Sequence, residues 1–114
     1  MLFINLFQPS EIYILIIMQE KLDKNVAVFK HYNIEKPPLI IRRMKKRWES
    51  LTPAKKLILN PELIKTPVKC IDYVIIHELC HLIHPHHGKE FFLLQEKMMP
   101  DWKRWKGRLE SISA

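Results

Sequence analysis

Five of the chain's six histidines fall between His77 and His87, in the run His77-Glu-Leu-Cys-His81-Leu-Ile-His84-Pro-His86-His87. If residues 70 to 84 form a helix, His77 and His81 are i and i+4, on one face with Cβ atoms about 5–6 Å apart. Two imidazoles at that spacing can reach one metal ion. Glu78 lies about 100° further round the helix, so its carboxylate flanks such an ion and can take a proton from water bound there. Catalytic zinc sites usually have three protein ligands and a water, so the sequence must supply a third. His87 is the expected one. Pro85 lacks an amide hydrogen and disfavours the α region for His84, which ends the helix and lets the chain turn back. Gly88 is permissive of the backbone angles such a turn can need. His84, His86, Glu90 and Glu96 are the alternatives, and Cys80 with His84 forms a rival i, i+4 pair.

The spacing matches the H-E-x-x-H-x-x-G-x-x-H pattern of zinc proteases, except that His84 stands where the pattern has glycine. The run from Asp72 to Phe92, with Lys97-Met-Met-Pro-Asp-Trp-Lys103, Ile41-Arg-Arg-Met-Lys-Lys-Arg-Trp48 and Leu57-Ile-Leu-Asn60, resembles the YgjP-like metallopeptidase family. More distantly it is similar to Spartan-type proteases, which cut proteins crosslinked to DNA. The resemblance covers roughly residues 30 to 105. It implies a zincin-like α+β fold, zinc ligands at His77, His81 and His87, a general base at Glu78 and a polypeptide substrate. The chain departs from the family in reading Arg47-Trp-Glu-Ser-Leu51 where Arg-Trp-Gly-Ser-Cys is usual. The resemblance also implies an N-terminal extension in longer family members, which this chain is expected to lack.

At 114 residues the chain is expected to form a single domain over 1–114. Cys70 and Cys80 would lie about 15 Å apart along one helix, too far to bridge, which points to a reducing, cytoplasmic setting. The net charge of +7 draws on two clusters, Arg42 to Arg47 and Lys103 to Arg108. Such charge favours polyanions, so nucleic acid is a second candidate partner, against the plain reading of a solvated basic face. Ile12 to Met18 is apolar but much shorter than the ~20 residues a membrane span needs, so no membrane association is expected.

Pro9 and Ser10 look like a helix start. Ile12, Leu15, Ile16, Leu22, Val26 and Phe29 then follow helical spacing, giving a core-covering helix that ends near His31 to Asn33. Leu39 to Met44 and Lys55 to Asn60 are β-prone, with a short strand at Arg47-Trp48 between them and a turn from Ser50 to Ala54, making a small, mainly antiparallel sheet. Pro61 to Lys65 adds one helical turn. Thr66 is the expected N-cap of the metal-site helix, with Pro67 at its first position, and Val74, Ile75, Leu79 and Leu82 are expected to bury its other faces. Phe91 to Met99 reads as a further helix stopped by Pro100. Asp101 then caps a last one, with Trp102, Trp105 and Leu109 on one face. Those tryptophans read as core, with a single-stranded nucleic-acid surface as the alternative.

The chemistry expected of this arrangement is peptide hydrolysis: zinc acidifies a water, Glu78 accepts its proton and later returns it to the leaving amine. Tyr73, His84 and His86 are candidates to stabilise the oxyanion. Substrate backbone could add beside Leu57 to Asn60 if that strand is a sheet edge. A metal-stabilised binding module without turnover, and a nucleic-acid-associated protein, are the other function classes.

Overall fold

The computed structural model describes residues 9–112, so the expected domain 1–114 runs beyond the described residues at both ends. Within them the fold is α+β. Four helices, α1 (Pro9–Val28), α2 (Val68–Ile83), α3 (Lys89–Met98) and α4 (Trp102–Glu110), accompany strands β1 (Leu39–Ile41), β2 (Glu49–Leu51) and β3 (Leu57–Leu59).

Helix α2 is the hub, packing against α1, α3, α4 and β2. Its apolar residues cover more than one face, and Val74, Ile75 and Leu79 are wholly buried while Leu82 is half-buried. Each such side chain contributes about 1.5–3 kcal/mol when fully withdrawn from water. Helix α1 lays Met18, Leu22 and Asn25 against this core, with Phe29 one turn beyond. Of the residues expected on its apolar face, Leu22, Val26 and Phe29 join the core, whereas Ile16, about 200° from Met18 round the helix, is 52% exposed. A polar clamp fixes the pairing: Lys21 Nζ lies 2.9 Å from Asp72 Oδ1, and Asn25 Nδ2 donates to the same oxygen at 3.0 Å. The helix gives way to a 3-10 turn at Lys30–Tyr32, and Asn33 ends it in the left-handed region at φ 52°, which asparagine tolerates.

The sheet is mixed rather than mainly antiparallel. Its order is β1-β3-β2, with β2 antiparallel and β1 parallel to β3. The tight turn at Thr52–Lys56, closed by hydrogen bonds of 2.8 and 2.9 Å, forces β2 and β3 into opposite directions. β3 is central because Leu57, Ile58 and Leu59 are all apolar and all buried, as suits a strand covered on both faces. The intervening strand lies at Glu49–Leu51, just past Arg47-Trp48. The carbonyls of Arg47 and Trp48 instead accept from the side chain and backbone of Asn60, both at 2.9 Å. With both its edges occupied, β3 cannot receive a substrate strand, which corrects that expectation. The sheet edge beside the histidines is β2.

Asn60 Oδ1 accepts from Glu62 N at 3.0 Å and so caps the 3-10 turn Pro61–Lys65. Thr66 does not cap α2. Its hydroxyl donates to Leu63 O at 2.8 Å, closing the preceding turn, and the helix begins after Pro67 without a side-chain cap. Asp101 likewise precedes α4 without capping it, because its carboxylate accepts from Trp105 Nε1 at 2.8 Å. Trp102, Trp105 and Leu109 belong to the core as expected. Trp102 is 8% exposed, its indole donates to Glu96, and its ring stacks against those of Tyr73 and Phe92. Cys70 and Cys80 are free and buried, and no helix of the described residues is long and apolar enough to cross a membrane.

Candidate metal centre

Helix α2 ends at Ile83. His84 adopts the extended φ −125°, ψ 97° that a following proline favours, and the chain bends through Pro85–Gly88 into α3. The bend does not use the freedom of Gly88, which sits at φ −90°, ψ −171°, where any residue is at ease. It returns the chain so that ligand atoms of His77, His81 and His87 all lie within 4.8 Å of one another. Their ring centroids are 5.0, 5.2 and 4.5 Å apart, and the wholly buried Phe91 ring meets all three at 4.5–5.0 Å.

The outer nitrogens of two rings have fixed roles. His81 Nδ1 lies 3.1 Å from Pro85 O, and His77 Nδ1 lies 2.8 Å from Gln95 Oε1. Both oxygens only accept, so both Nδ1 atoms carry hydrogen and both Nε2 atoms present lone pairs to the centre. His87 Nε2 stands 2.8 Å from His81 Nε2. Since His81 Nε2 offers a lone pair, His87 Nε2 is the donor in this contact. Nitrogens bonded to one tetrahedral zinc at ~2.0–2.1 Å lie about 3.3 Å apart, so His81 and His87 would part by roughly half an ångström to share an ion. Burial holds His77 down at about 4, against a usual 6.5, and lowers His81 as well, first by burial and then by the charge of His87. Rings that resist protonation are the form a metal requires.

Glu78 is 7% exposed and lies with Glu49 beside His77, ligand atoms of the three being within 4.8 Å of one another. Burial, reinforced by the neighbouring Glu49 carboxyl that hydrogen-bonds it, raises Glu78 to about 8 from 4.5. Glu49 is itself raised, mainly by burial. Its side chain comes from β2, at the position where the chain departs from the Gly of the family pattern. A cleft of about 480 Å³ runs between β2 with its following turn and the three histidines. A larger cavity of about 720 Å³, lined by Tyr32–Pro38 and the end of α2, contains none of them.

Among the described residues, His84, His86, Glu90 and Glu96 join no ligand cluster, and Glu96 is engaged with Trp102. The Cys80–His84 pair does not form a site: Cys80 is wholly buried and burial pushes its thiol up to about 12. Tyr73 is 6% exposed, and its ring stacks at 6.5 Å on Trp102. Sequence reasoning missed Gln95 and Phe91. They are i, i+4 on α3, a spacing that announces a shared face but not that the face meets His77.

No curated protein matches the chain in sequence. Among solved structures, it is similar to the metallopeptidase zymogen of Pyrococcus abyssi abylysin, at TM-score 0.72 and 20% identity over 82% of this chain and 92% of that one. It is also similar to the metallopeptidase zymogen of Methanocaldococcus jannaschii jannalysin, at TM-score 0.69 and 18% identity over 82% and 94%. The fold is thus that of zincin-like metallopeptidases. The model of the YgjP-like metallopeptidase domain matches residues 15–112, nearly the whole chain, and the protein therefore belongs to the YgjP-like metallopeptidase family.

Proposed function

We propose that the chain is a zinc-dependent peptidase in which His77, His81 and His87 hold the metal and Glu78 is the general base. The observation that carries this reading is the convergence of three imidazoles, two with Nδ1 hydrogen-bonded outward, beside a buried carboxyl. Zinc is favoured over harder cations because an all-nitrogen set with room for one more ligand suits it. When bound, it supplies an acidified water and a Lewis acid for the scissile carbonyl.

The protein's own groups do the rest. Glu78 takes a proton as the nucleophile forms and returns it to the departing amine, and its burial beside Glu49 already favours the proton-carrying form in the metal-free chain. The β2 edge lines the cleft, so an extended polypeptide can pair with it and lay its carbonyls across the histidines. Ordering the substrate this way replaces a bimolecular encounter by a fixed approach.

The test is Glu78→Gln. This variant keeps one zinc per chain by metal analysis and loses cleavage of an unfolded polypeptide by at least ~10²-fold, the lower range expected for removing a general base. Retained turnover sinks the role of Glu78, and a wild-type protein purified without chelators that carries no metal sinks the whole reading.

A further inference from the structure

We infer that Gln95 is a positioning residue for the metal centre, holding His77 in the one tautomer and ring orientation that can ligate. The inference rests on the metal reading above and extends it to α3. Gln95 is 1% exposed, and its Oε1 lies 2.8 Å from His77 Nδ1. An amide can offer either end to a ring nitrogen. Its oxygen demands hydrogen on Nδ1 and frees the Nε2 lone pair for a cation; its NH2 would demand the opposite and put hydrogen on Nε2, where the metal belongs.

The arrangement carries a cost. Among the described residues Gln95 Nε2 has no hydrogen-bond partner, although it is buried. Buried donors in folded proteins are nearly always paired, and one left unpaired is destabilising. An aliphatic side chain of similar size would fill this space without that penalty. What such a replacement would lose is the acceptor for His77. Phe91, one turn earlier on α3, packs on the same ring and on those of His81 and His87, so α3 fixes the plane of the imidazole while Gln95 fixes its rotation. Partners of this kind on metal-bound histidines are worth about 10–100-fold in metal affinity.

A neutral acceptor also differs from the carboxylate often found behind such histidines. It orients the ring without adding negative charge, leaving the bound cation more strongly electron-withdrawing.

The experiment compares zinc affinity, by competition with a chromophoric chelator, and the thermal midpoint of the metal-free protein in wild type, Gln95→Leu, Gln95→Met and Gln95→Glu. Leu and Met are expected to weaken zinc about 10–100-fold while the metal-free midpoint stays level or rises. Glu restores the acceptor and is expected to bind zinc at least as tightly as wild type. Met, flexible enough to fit where Leu strains, keeps the test alive should Leu fail to fold. If wild type binds zinc and both apolar variants bind it equally well, the inference is overturned and the metal reading stands. If affinity and metal-free midpoint fall together in both, Gln95 is merely structural and the inference is overturned. A wild-type chain that binds no zinc overturns both readings.

Discussion

Two carboxyl groups, Glu49 from β2 and Glu78 from α2, face one cleft. Like charges this close cannot both ionise cheaply, and burial adds to the penalty, so the pair keeps a proton well above the ordinary carboxylate range. Glu49→Gln removes the neighbouring charge and leaves only burial to raise Glu78. The pKa of Glu78 is therefore expected to fall, and the acid limb of the pH profile of kcat/KM to move to lower pH. An unmoved limb would show that Glu49 does not act on Glu78. The sequence made Glu49 visible only as a departure from a family pattern; nothing in it told that the side chain turns toward Glu78. His77 and His81 were legible from spacing alone, because the helical repeat puts i and i+4 on one face whatever surrounds them. His87 required one more step, the helix stop at Pro85. Gln95 was beyond reach, being joined to His77 by a contact between α2 and α3 that no local rule encodes.

At the scale of elements, the helices were more legible than the sheet. Each helix exceeds two turns, and an apolar pattern sustained that long names its own period. The strands are three residues each, too short to show alternation, and their order depends on which run tolerates burial on both faces. Asn60 decides much of that geometry. Its Nδ2 donates to Met44 O and Arg47 O, both at 2.9 Å, while its Oδ1 caps the next turn, so one buried side chain ties the β1–β2 connection to the end of β3. The Asn60-Pro61-Glu62 sequence carries the cap signal, an asparagine before a proline at the first helical position, but not the two contacts to the connection. Asn60→Ala strands two carbonyls and a backbone amide. It is expected to destabilise the fold by about 3 kcal/mol, since each unsatisfied group costs ~1–3 kcal/mol and the connection can relax toward solvent. Denaturant unfolding measures the loss. A change within ~0.5 kcal/mol would mean that the strand pairing holds without it.

For the whole molecule, the same groups that would serve the metal strain the metal-free fold, and they do so in opposite directions of pH. His77 is held at about 4 in the folded chain against 6.5 when exposed, so the unfolded chain binds the extra proton between those values and stability is lost as pH falls through them. Glu78 is held near 8 against 4.5, so the folded chain keeps the extra proton and stability is lost as pH rises from 4.5 to 8. Between 4.5 and 6.5 the two slopes oppose each other. Above 6.5 only the carboxyl slope remains, at about 1.4 kcal/mol per pH unit for one proton. The metal-free protein is accordingly expected to be most stable in mildly acidic solution and to lose roughly 2 kcal/mol between pH 6.5 and 8, a large share of the 5–15 kcal/mol typical of a domain. Glu78→Gln is expected to flatten that alkaline slope, because a neutral amide has no proton to release and only the burial of Glu49 still raises a carboxyl there. Zinc at the proposed site is expected to reverse its consequence: an ion that binds only a folded chain stabilises it by ~2.7 kcal/mol at a hundredfold excess over Kd, and binds better as pH rises and its ligands shed protons. Urea denaturation at pH 5.5, 6.5 and 8, with chelator and with zinc, reads all of this. Parallel curves for wild type and Glu78→Gln in chelator would remove the buried carboxyl from the account, whereas a slope confined to the metal-free wild type means that a fold strained without its cation is relieved by binding it.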